Sequence, residues 1–549
     1  MKYPIYSVTI PLIMGIACAD YLHNACKASL MLYVVALAAT TMVAVALHVL
    51  RRPFSSTLAL MMSVFCLGCV LTEMRHQNVS TAIAEHTHYI KGHVIAQPQP
   101  KQRTTAVDLL TNKGCKLVAH VQGTDLGLHI GDFIEFFSRI GTECTKAGNN
   151  MMECNKPDKM NNSDIMLAKY KRGLYYRGVS ATCYVDSLSW QIVEEGADKS
   201  VFGQLRRLQS KMIDCYRDAG IDGAEAAIIE AMTTGSKANL SAETRQQYAR
   251  AGASHVLALS GMHLTIVYGV LSLLFLSGVR HMRWRLVLKA LLLIAIWAFV
   301  VLTGMMPSLL RAAIMFSIIE VGTTVMVRPA NNIWGMSIEV DRFTDEMGGF
   351  RRISALGVSA TIMLLYDPFL LMNVGFQLSY VSMLAILACS NLMKKLTIVF
   401  QPWKPCVKRM GWYRIVVNVL IEKLIGIVMM SVVCSIATMP LVAFWFGSVP
   451  LLSVLTNVII ALPVTFLLVV AIVWWAVTPF AGLQAVVGDV LVFVASIINK
   501  ATGWVASFPS ATVDYHPTAI AVVLSYVLVF VVYRILTIIA LRQDMYSRQ

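Results

Sequence analysis

His255-Val256-Leu257-Ala258-Leu259-Ser260-Gly261-Met262-His263 opens an apolar run that continues to Gly278. The run is long enough to cross a bilayer, yet two histidines, a serine and a glycine stand at its head. Polar groups there lose water without regaining hydrogen bonds from lipid, so they are expected to face protein or an aqueous cavity. On a helix, His255 and His263 stand about 12 Å apart along the axis and roughly 80° apart around it. Ser260 and His263, three residues apart, share one face. That arrangement suits a polar lining better than a single metal site.

The chain around this stretch is of the same kind. Its 549 residues are 57% hydrophobic and 14% charged, with a mean hydropathy of +0.64. Such a composition points to a polytopic membrane protein and against a soluble one. Apolar runs near 5–22, 29–50, 55–72, 254–278, 286–304, 307–327, 353–371, 373–391, 424–446, 451–477, 484–505 and 517–540 read as roughly twelve spans. The eleventh is interrupted by Asp489 and Lys500. The first lacks a short apolar core followed by a small-residue cleavage site, so it is expected to stay in the protein.

A net charge of +15 invites a nucleic-acid reading, but the charges must first be placed. Residues 73–252 carry basic and acidic groups in near balance, so most of the excess belongs to spans and short loops. Arg51-Arg52, the loop holding Arg280, Arg283 and Arg285, Arg351-Arg352 and the tract from Lys394 to Arg414 are expected inside by the positive-inside rule. The loop Gly447 to Pro450 has no Lys or Arg. This pattern puts both termini in the cytoplasm and residues 73–252 outside. The basic excess is first a topology signal and only second a patch for a polyanion.

The outer region has two parts. Residues 88–193 hold short alternating runs separated by turn residues such as Gly127, Gly131 and Gly178, which predicts a small barrel or twisted sheet. Tyr175, Tyr176 and Arg177 are the candidates there for stacking on bases, although strand aromatics more often fill cores. The polar tract 145–164 reads as a loop inserted between strands. From Val201 the period becomes helical. Phe202, Leu205, Leu208, Met212 and Tyr216 line one face, predicting an amphipathic helix on the membrane surface or on the barrel. Further helices are expected at 224–233 and 242–251, the second with Ser241 as N-cap, and Gly252 breaks the chain before the next span. Of the 12 cysteines, Cys115, Cys144, Cys154 and Cys183 fall outside, where at least one disulfide is expected. Cys66 and Cys69 form a Cys-x-x-Cys inside a span and read as packing. No spacing of Cys and His suggests a metal, and no cofactor motif is present.

The opening stretch resembles the signature of the ComEC family, inner-membrane channels that import single-stranded DNA during natural transformation. Further matches follow in order: Gly304-Met-Met-Pro307-Ser308-Leu-Leu-Arg311-Ala312, Asp367-Pro368, Val374-Gly375-Phe376-Gln377-Leu378-Ser379-Tyr380, Thr438-Met-Pro440, Phe446-Gly447, and Asn457 with Pro463. The resemblance covers residues 205–480 and reaches the rest by architecture only. It implies a polytopic α-helical membrane protein with a small extracytoplasmic β-barrel domain, OB-like, inserted after the third span. The implied domains are three N-terminal spans in 1–72, the OB-like domain in 73–200, connecting helices in 201–252 and a competence-type channel in 253–549.

The resemblance also implies a DNA path lined by His255, Ser260, Gly261, His263, Arg311, Gln377, Ser379 and Asn457. Arg311 has two roles to choose between: an anchor snorkelling to the interface, or a planar fork for phosphate. Glu320, a carboxylate on a polyanion path, reads as structural. Implied partners are single-stranded DNA, membrane lipid, a helicase-like motor in the cytoplasm and a DNA receptor outside. Many relatives continue into a metallo-β-lactamase-like domain marked by HxHxDH. Here His86-Thr-His88 lacks the rest of that motif and His516 stands alone, so nuclease activity is expected from a separate protein. No Walker motif is present, and the chain reads as a channel, not an enzyme. Two other readings compete: a transporter of another anionic polymer or solute, and a membrane-embedded serine hydrolase using Ser260 and His263.

Overall fold

The computed structural model describes residues 5–26, 29–80, 87–100, 103–112, 114–123, 126–141, 170–196, 198, 200–276, 279, 281–326, 338–399 and 412–546. The chain divides into two compact units, one of Met1–Asp214 with Leu293–Gln377 and one of Cys215–Leu292 with Leu378–Gln549.

In the first unit, α1 (Tyr6–Cys26), α2 (Leu30–Val49) and α3 (Pro53–Ser80) pack on one another. Small residues set the approach of α1 to α3. A Cβ on Gly15 would stand 2.1 Å from the carbonyl oxygen of Phe65, and one on Gly68 would stand 2.7 Å from that of Leu12. Only glycine permits backbones so close, which is how apolar helices associate without a hydrophobic drive in lipid. Later in the chain come α8 (Met282–Leu302), which crosses the division between units, α9 (Pro307–Met326) and α10 (Ile338–Tyr366). Pro307 opens α9 at a position where its missing N–H costs nothing. The α10 helix returns to α1, where Thr9 and Thr361 hydroxyls lie 2.9 Å apart and Tyr6 donates to the Ile353 carbonyl at 3.0 Å.

Between Thr87 and Glu194 this unit forms a 7-stranded sheet. Its strands are β1 (Thr87–Val94), β2 (Gln99–Pro100), β3 (Thr104–Thr111), β4 (Lys116–Gln122), β5 (Phe133–Gly141), β6 (Val179–Val185) and β7 (Trp190–Glu194). Pairing runs antiparallel from β1 to β3 to β4, parallel from β4 to β6, antiparallel from β6 to β5, and from β5 back to β1. Alternation explains the core: Val107 and Leu109, Leu117, Ala119 and Val121, and Ile134 and Phe136 all point inward from neighbouring strands. β6 begins at Val179, and residues 170–176 form a helix, so Tyr175 and Tyr176 are not strand residues.

In the second unit, α5 (Gly223–Thr233) is buried along Ala226–Thr233 against α13 (Ser453–Ala476) and α14 (Ala481–Ala506). Tyr216 and Trp474 stack at 4.7 Å in this core, and Trp475 Nε1 donates to Tyr216 Oη at 2.9 Å. Ser241 caps α6 (Ala242–Arg250) as expected, accepting from Thr244 N–H at 3.0 Å. Gly252, at φ +73, brings the chain so close to α13 that a Cβ there would meet Ser453 at 2.5 Å. The unit is completed by α7 (Gly261–Leu276), α11 (Val374–Val399, which begins in the first unit), α12 (Trp412–Phe446) and α15 (Ala519–Tyr546). β8 (Ser448–Pro450) and β9 (Thr512–Asp514) pair between them.

A helix overlaps each apolar run named above. Among the described residues, 7 of these helices are long and apolar enough to cross a membrane, and Gly261–Leu276, Arg352–Tyr366 and Val374–Ser390 are shorter apolar helices. The amphipathic α4 (Val201–Asp218) takes the second of its two expected places. Arg206 donates to the Ile95 carbonyl and Arg207 to Gly196 at 2.9 Å, which ties the helix to the sheet domain. Cys66 and Cys69 are buried apolar packing. Cys183 is a buried thiol facing Ala119 of β4, with no disulfide, while Cys144, Cys154 and the loop 145–164 lie outside the described residues.

Candidate functional site

The expected polar stretch is not one helix. Residues 251–260 run through turns, and α7 begins at Gly261. His255 therefore stands exposed on the approach, and the helical spacing expected between it and His263 does not apply. Gly252 is the cause, since its left-handed backbone ends α6 and starts the turns.

Ser260 and His263 do meet, by a different geometry. Ser260 is the N-cap of α7 and His263 its third residue. The Ser260 backbone N–H donates to His263 Nδ1 at 2.9 Å, and the Ser260 hydroxyl lies 2.9 Å from the same nitrogen. This is half of a capping box with an imidazole where glutamate usually stands. His263 is 1% exposed, and its Nε2 has no hydrogen-bond partner among the described residues. A serine hydrolase would need a base whose far nitrogen is held by an acid. Here the near nitrogen is occupied by the cap, so the contact is first a helix start.

On α13, which packs along α7, Asn457 donates to Ser431 Oγ at 2.9 Å and Thr456 to the Ala251 carbonyl at 2.7 Å. Ser379, on α11, accepts at its carbonyl from Ser382.

In the first unit, Arg311 is 7% exposed on α9, with Nη1 3.8 Å from Met315 Sδ one turn on. Its guanidinium is therefore buried among protein groups. Glu320 is half-buried. Gln377 donates to the Leu371 carbonyl at 2.9 Å. Asp367 caps the short 3-10 turn Pro368–Met372 by accepting from Phe369 N–H at 3.1 Å, and it faces Arg75 at 3.4 Å. The polar residues around Asp367-Pro368 thus build the turn between α10 and α11.

Tyr175 and Tyr176 are not a stacking platform. Both are buried with Val79 and Phe369, because their hydroxyls serve a polar cluster that sequence reasoning missed. Tyr175 Oη lies 2.6 Å from His76 Nδ1, and Tyr176 donates to both Asp20 oxygens at 3.0 Å. His76 Nε2 stands 3.2 Å from Asp20, His23 Nδ1 stands 2.9 Å from Glu73, and the two imidazoles stack at 4.0 Å. The signal was present as Asp20-x-x-His23 and Glu73-x-x-His76, two pairs each on one helix face near the end of an apolar run. Burial pushes both phenols well above the ordinary tyrosine range. Arg177 pairs instead with Asp108 at 3.2 Å. Among the described residues, no group of three or more His, Cys, Asp or Glu suits a metal ion.

The exposed rings of the sheet lie elsewhere. Tyr89 and Phe137, opposite one another on β1 and β5, stand 4.7 Å apart with Lys91 Nζ 5.0 Å from the Tyr89 ring centre. Tyr184, 73% exposed, stands 5.4 Å from His120. It also lines an open cavity of about 370 Å³ with Arg103, Thr104, Gln122, Val185 and Asp186. Beneath Tyr89, Glu135 is held by Lys91 at 2.8 Å, by Tyr89 and by Gln191, which lowers its carboxyl to about 2.

The profile of the competence protein family matches residues 232–336 and 347–538, more than half of the chain. Those stretches contain His255, Ser260, Gly261, His263, Arg311, Gln377, Ser379 and Asn457, and exclude the sheet domain. ComE operon protein 3 of Bacillus subtilis (strain 168) is 26% identical over 186 residues, which is 34% of this chain and 21% of that protein. The chain therefore matches only about a fifth of that relative's length. No solved structure matches.

Proposed function

The chain belongs to the competence protein family, and from that premise we propose that it carries single-stranded DNA across the cytoplasmic membrane during natural transformation. The observation that carries the reading is Arg311, a guanidinium buried within an apolar helix of the matched region. Charged side chains inside membrane segments are rare, face protein or water, and mark ion and substrate paths. A guanidinium offers phosphate two parallel donors.

Several finer points belong to this proposal. All twelve overlapping helices cross the membrane, the termini lie in the cytoplasm and residues 73–252 lie outside, as the loop charges favour. The sheet domain is an OB-like barrel, a reading supported by pairing that returns from β5 to β1. It receives the strand outside, with Tyr89, Phe137 and Tyr184 in place of the buried tyrosines as surfaces for bases. His255, Ser260, Gly261, His263, Arg311, Gln377, Ser379 and Asn457 line or shape the path. A cytoplasmic motor and an outer DNA receptor complete the system.

The test is uptake of labelled DNA in a strain whose own copy is replaced by variants at equal protein level. Arg311→Ala should lower uptake at least tenfold, the loss expected of about 1.4 kcal/mol. Arg311→Lys should restore it only in part, because an ammonium lacks the planar fork. Normal uptake by a strain without the gene would end the proposal.

A further inference from the structure

Alternation along β3, β4 and β6 sets a row of side chains on the outer face of the sheet. Cys183 and Val185 of β6 point into the core, which turns Tyr184 between them outward, 73% exposed. On β4, Ala119 and Val121 point inward, so His120 points outward, and the parallel register sets it beside Tyr184 with ring centres 5.4 Å apart. Gln122 follows on the same face, opposite Thr104 of β3. Arg103 is fixed next to that pair, because its carbonyl accepts from Gly123 N–H at 3.3 Å while Thr105 donates its hydroxyl to the Gly123 carbonyl at 2.7 Å. Tyr184, Gln122, Thr104, Arg103 and Asp186 thus surround an open cavity of about 370 Å³ with buried Val185 in its wall.

Each chemical part of one nucleotide finds a counterpart in this cavity. An exposed phenol ring offers a face to a base, a guanidinium offers two donors to a phosphate, and a glutamine amide is both donor and acceptor for a base edge. Asp186, the acid among the lining residues, is engaged in its own turn: Oδ1 accepts from Ser187 N–H at 2.8 Å and from the Ser187 hydroxyl at 3.4 Å. A single exposed ring needs no explanation, but here a ring, a cation and an amide converge on one opening. We propose that this cavity seats one unpaired nucleotide of the incoming strand, base on Tyr184 and phosphate on Arg103, so that strandedness is selected on the sheet domain. This rests on the reading of the chain as a DNA conduit and adds a selectivity to it. In a duplex each base is stacked and paired, and swinging one out is costly, whereas a single strand offers its base faces freely. Every base has a π-face, so the site accepts any sequence.

The test uses the full-length protein in lipid nanodiscs and a short fluorescein-labelled oligo-dT, with binding followed by anisotropy. Tyr184→Ala should weaken binding about tenfold, the loss of one stacked base, while Tyr184→Phe keeps the ring and should bind as wild type. Arg103→Gln should lower the slope of log affinity against log salt by about 0.7, the share of one phosphate on a single strand. A duplex of the same length should bind without dependence on Tyr184. In the wild type, an oligo-dT carrying one 5-iodouracil should photocrosslink to Tyr184 or His120, a readout that decides even where a variant fails to fold. Wild-type affinity in Tyr184→Ala, duplex binding that depends equally on Tyr184, or crosslinks confined to other residues would overturn the proposal. Thymidine monophosphate binding there more tightly than the strand would make the cavity a site for free nucleotides and overturn it as well. Wild-type binding by Tyr184→Ala beside failed uptake in Arg311→Ala would strike the cavity and leave the conduit intact. Normal uptake by a strain without the gene would remove both.

Discussion

Replacing Asp20 by alanine tests whether the buried cluster holds residues 170–176 onto α1 and α3. The carboxylate is 5% exposed, accepts from Tyr176 at 3.0 Å on each oxygen and lies 3.2 Å from His76 Nε2. Its removal strands the buried Tyr176 hydroxyl, at about 1–3 kcal/mol, and takes the carboxylate away from His76. The sum agrees with the roughly 3–5 kcal/mol found when one member of a buried charged pair is deleted. Asp20→Asn keeps an oxygen for Tyr176 at nearly unchanged volume and should cost about 1–3 kcal/mol. At about 2–4 °C per kcal/mol, Asp20→Ala should lower the apparent thermal midpoint in detergent by roughly 6–20 °C, and Asp20→Asn by less. Hydrogen exchange should quicken in residues 170–176, which carry the cluster's tyrosines, before it does in α2. An Asp20→Ala protein with wild-type midpoint and wild-type exchange would show that these groups are satisfied some other way.

Two further outcomes are expected outside the membrane helices. Glu135 is lowered from 4.5 to about 2, first by Lys91 and then by Tyr89 and Gln191. A lowered folded value contributes stability above the unfolded one and loses it as pH falls through the folded one, so the loss runs from pH 4.5 down to about 2. Glu135→Gln should flatten the acid-unfolding curve, followed by tryptophan fluorescence, in that window; an unchanged curve would refute the coupling. Burial pushes the Cys183 thiol up to about 12, so maleimide should reach it only after denaturation. Cys144 and Cys154 should resist labelling until reduced, and ready labelling of both without reductant would exclude a disulfide between them.

What the sequence made legible was local. Ser241 read as an N-cap because the side chain that caps α6 is its own neighbour, and Gly252 read as a break because its φ needs no distant partner. The alternating strands of the sheet followed from period two, although β6 starts late. What it hid was long-range. Tyr175 and His76 are 99 residues apart, and Tyr176 and Asp20 are 156 apart, so nothing near the tyrosines announces that their hydroxyls are needed inside. Paired aromatics beside an arginine look the same on the chain whether they stack on a base or bury against a carboxylate. The helical period of α4 was likewise legible, but not that Arg206 and Arg207 bond to Ile95 and Gly196 of the sheet domain.

Polarity inside an apolar helix is therefore a poor guide to function until its hydrogen bonds are assigned. Asp367 and Gln377 spend theirs on the turn that joins α10 to α11, and Ser260 spends its amide on the cap of α7. Alanine at Asp367 or Gln377 removes a structural bond, so lost uptake in such a variant does not separate a broken path from a broken turn. The distinction lies in the atoms left over after the structural bonds are drawn. For Arg311 the planar fork is what lysine lacks, so charge and shape separate there. Substitutions that preserve the cap, the charge or the volume while deleting a single donor are the ones that discriminate a conduit from a well-packed bundle.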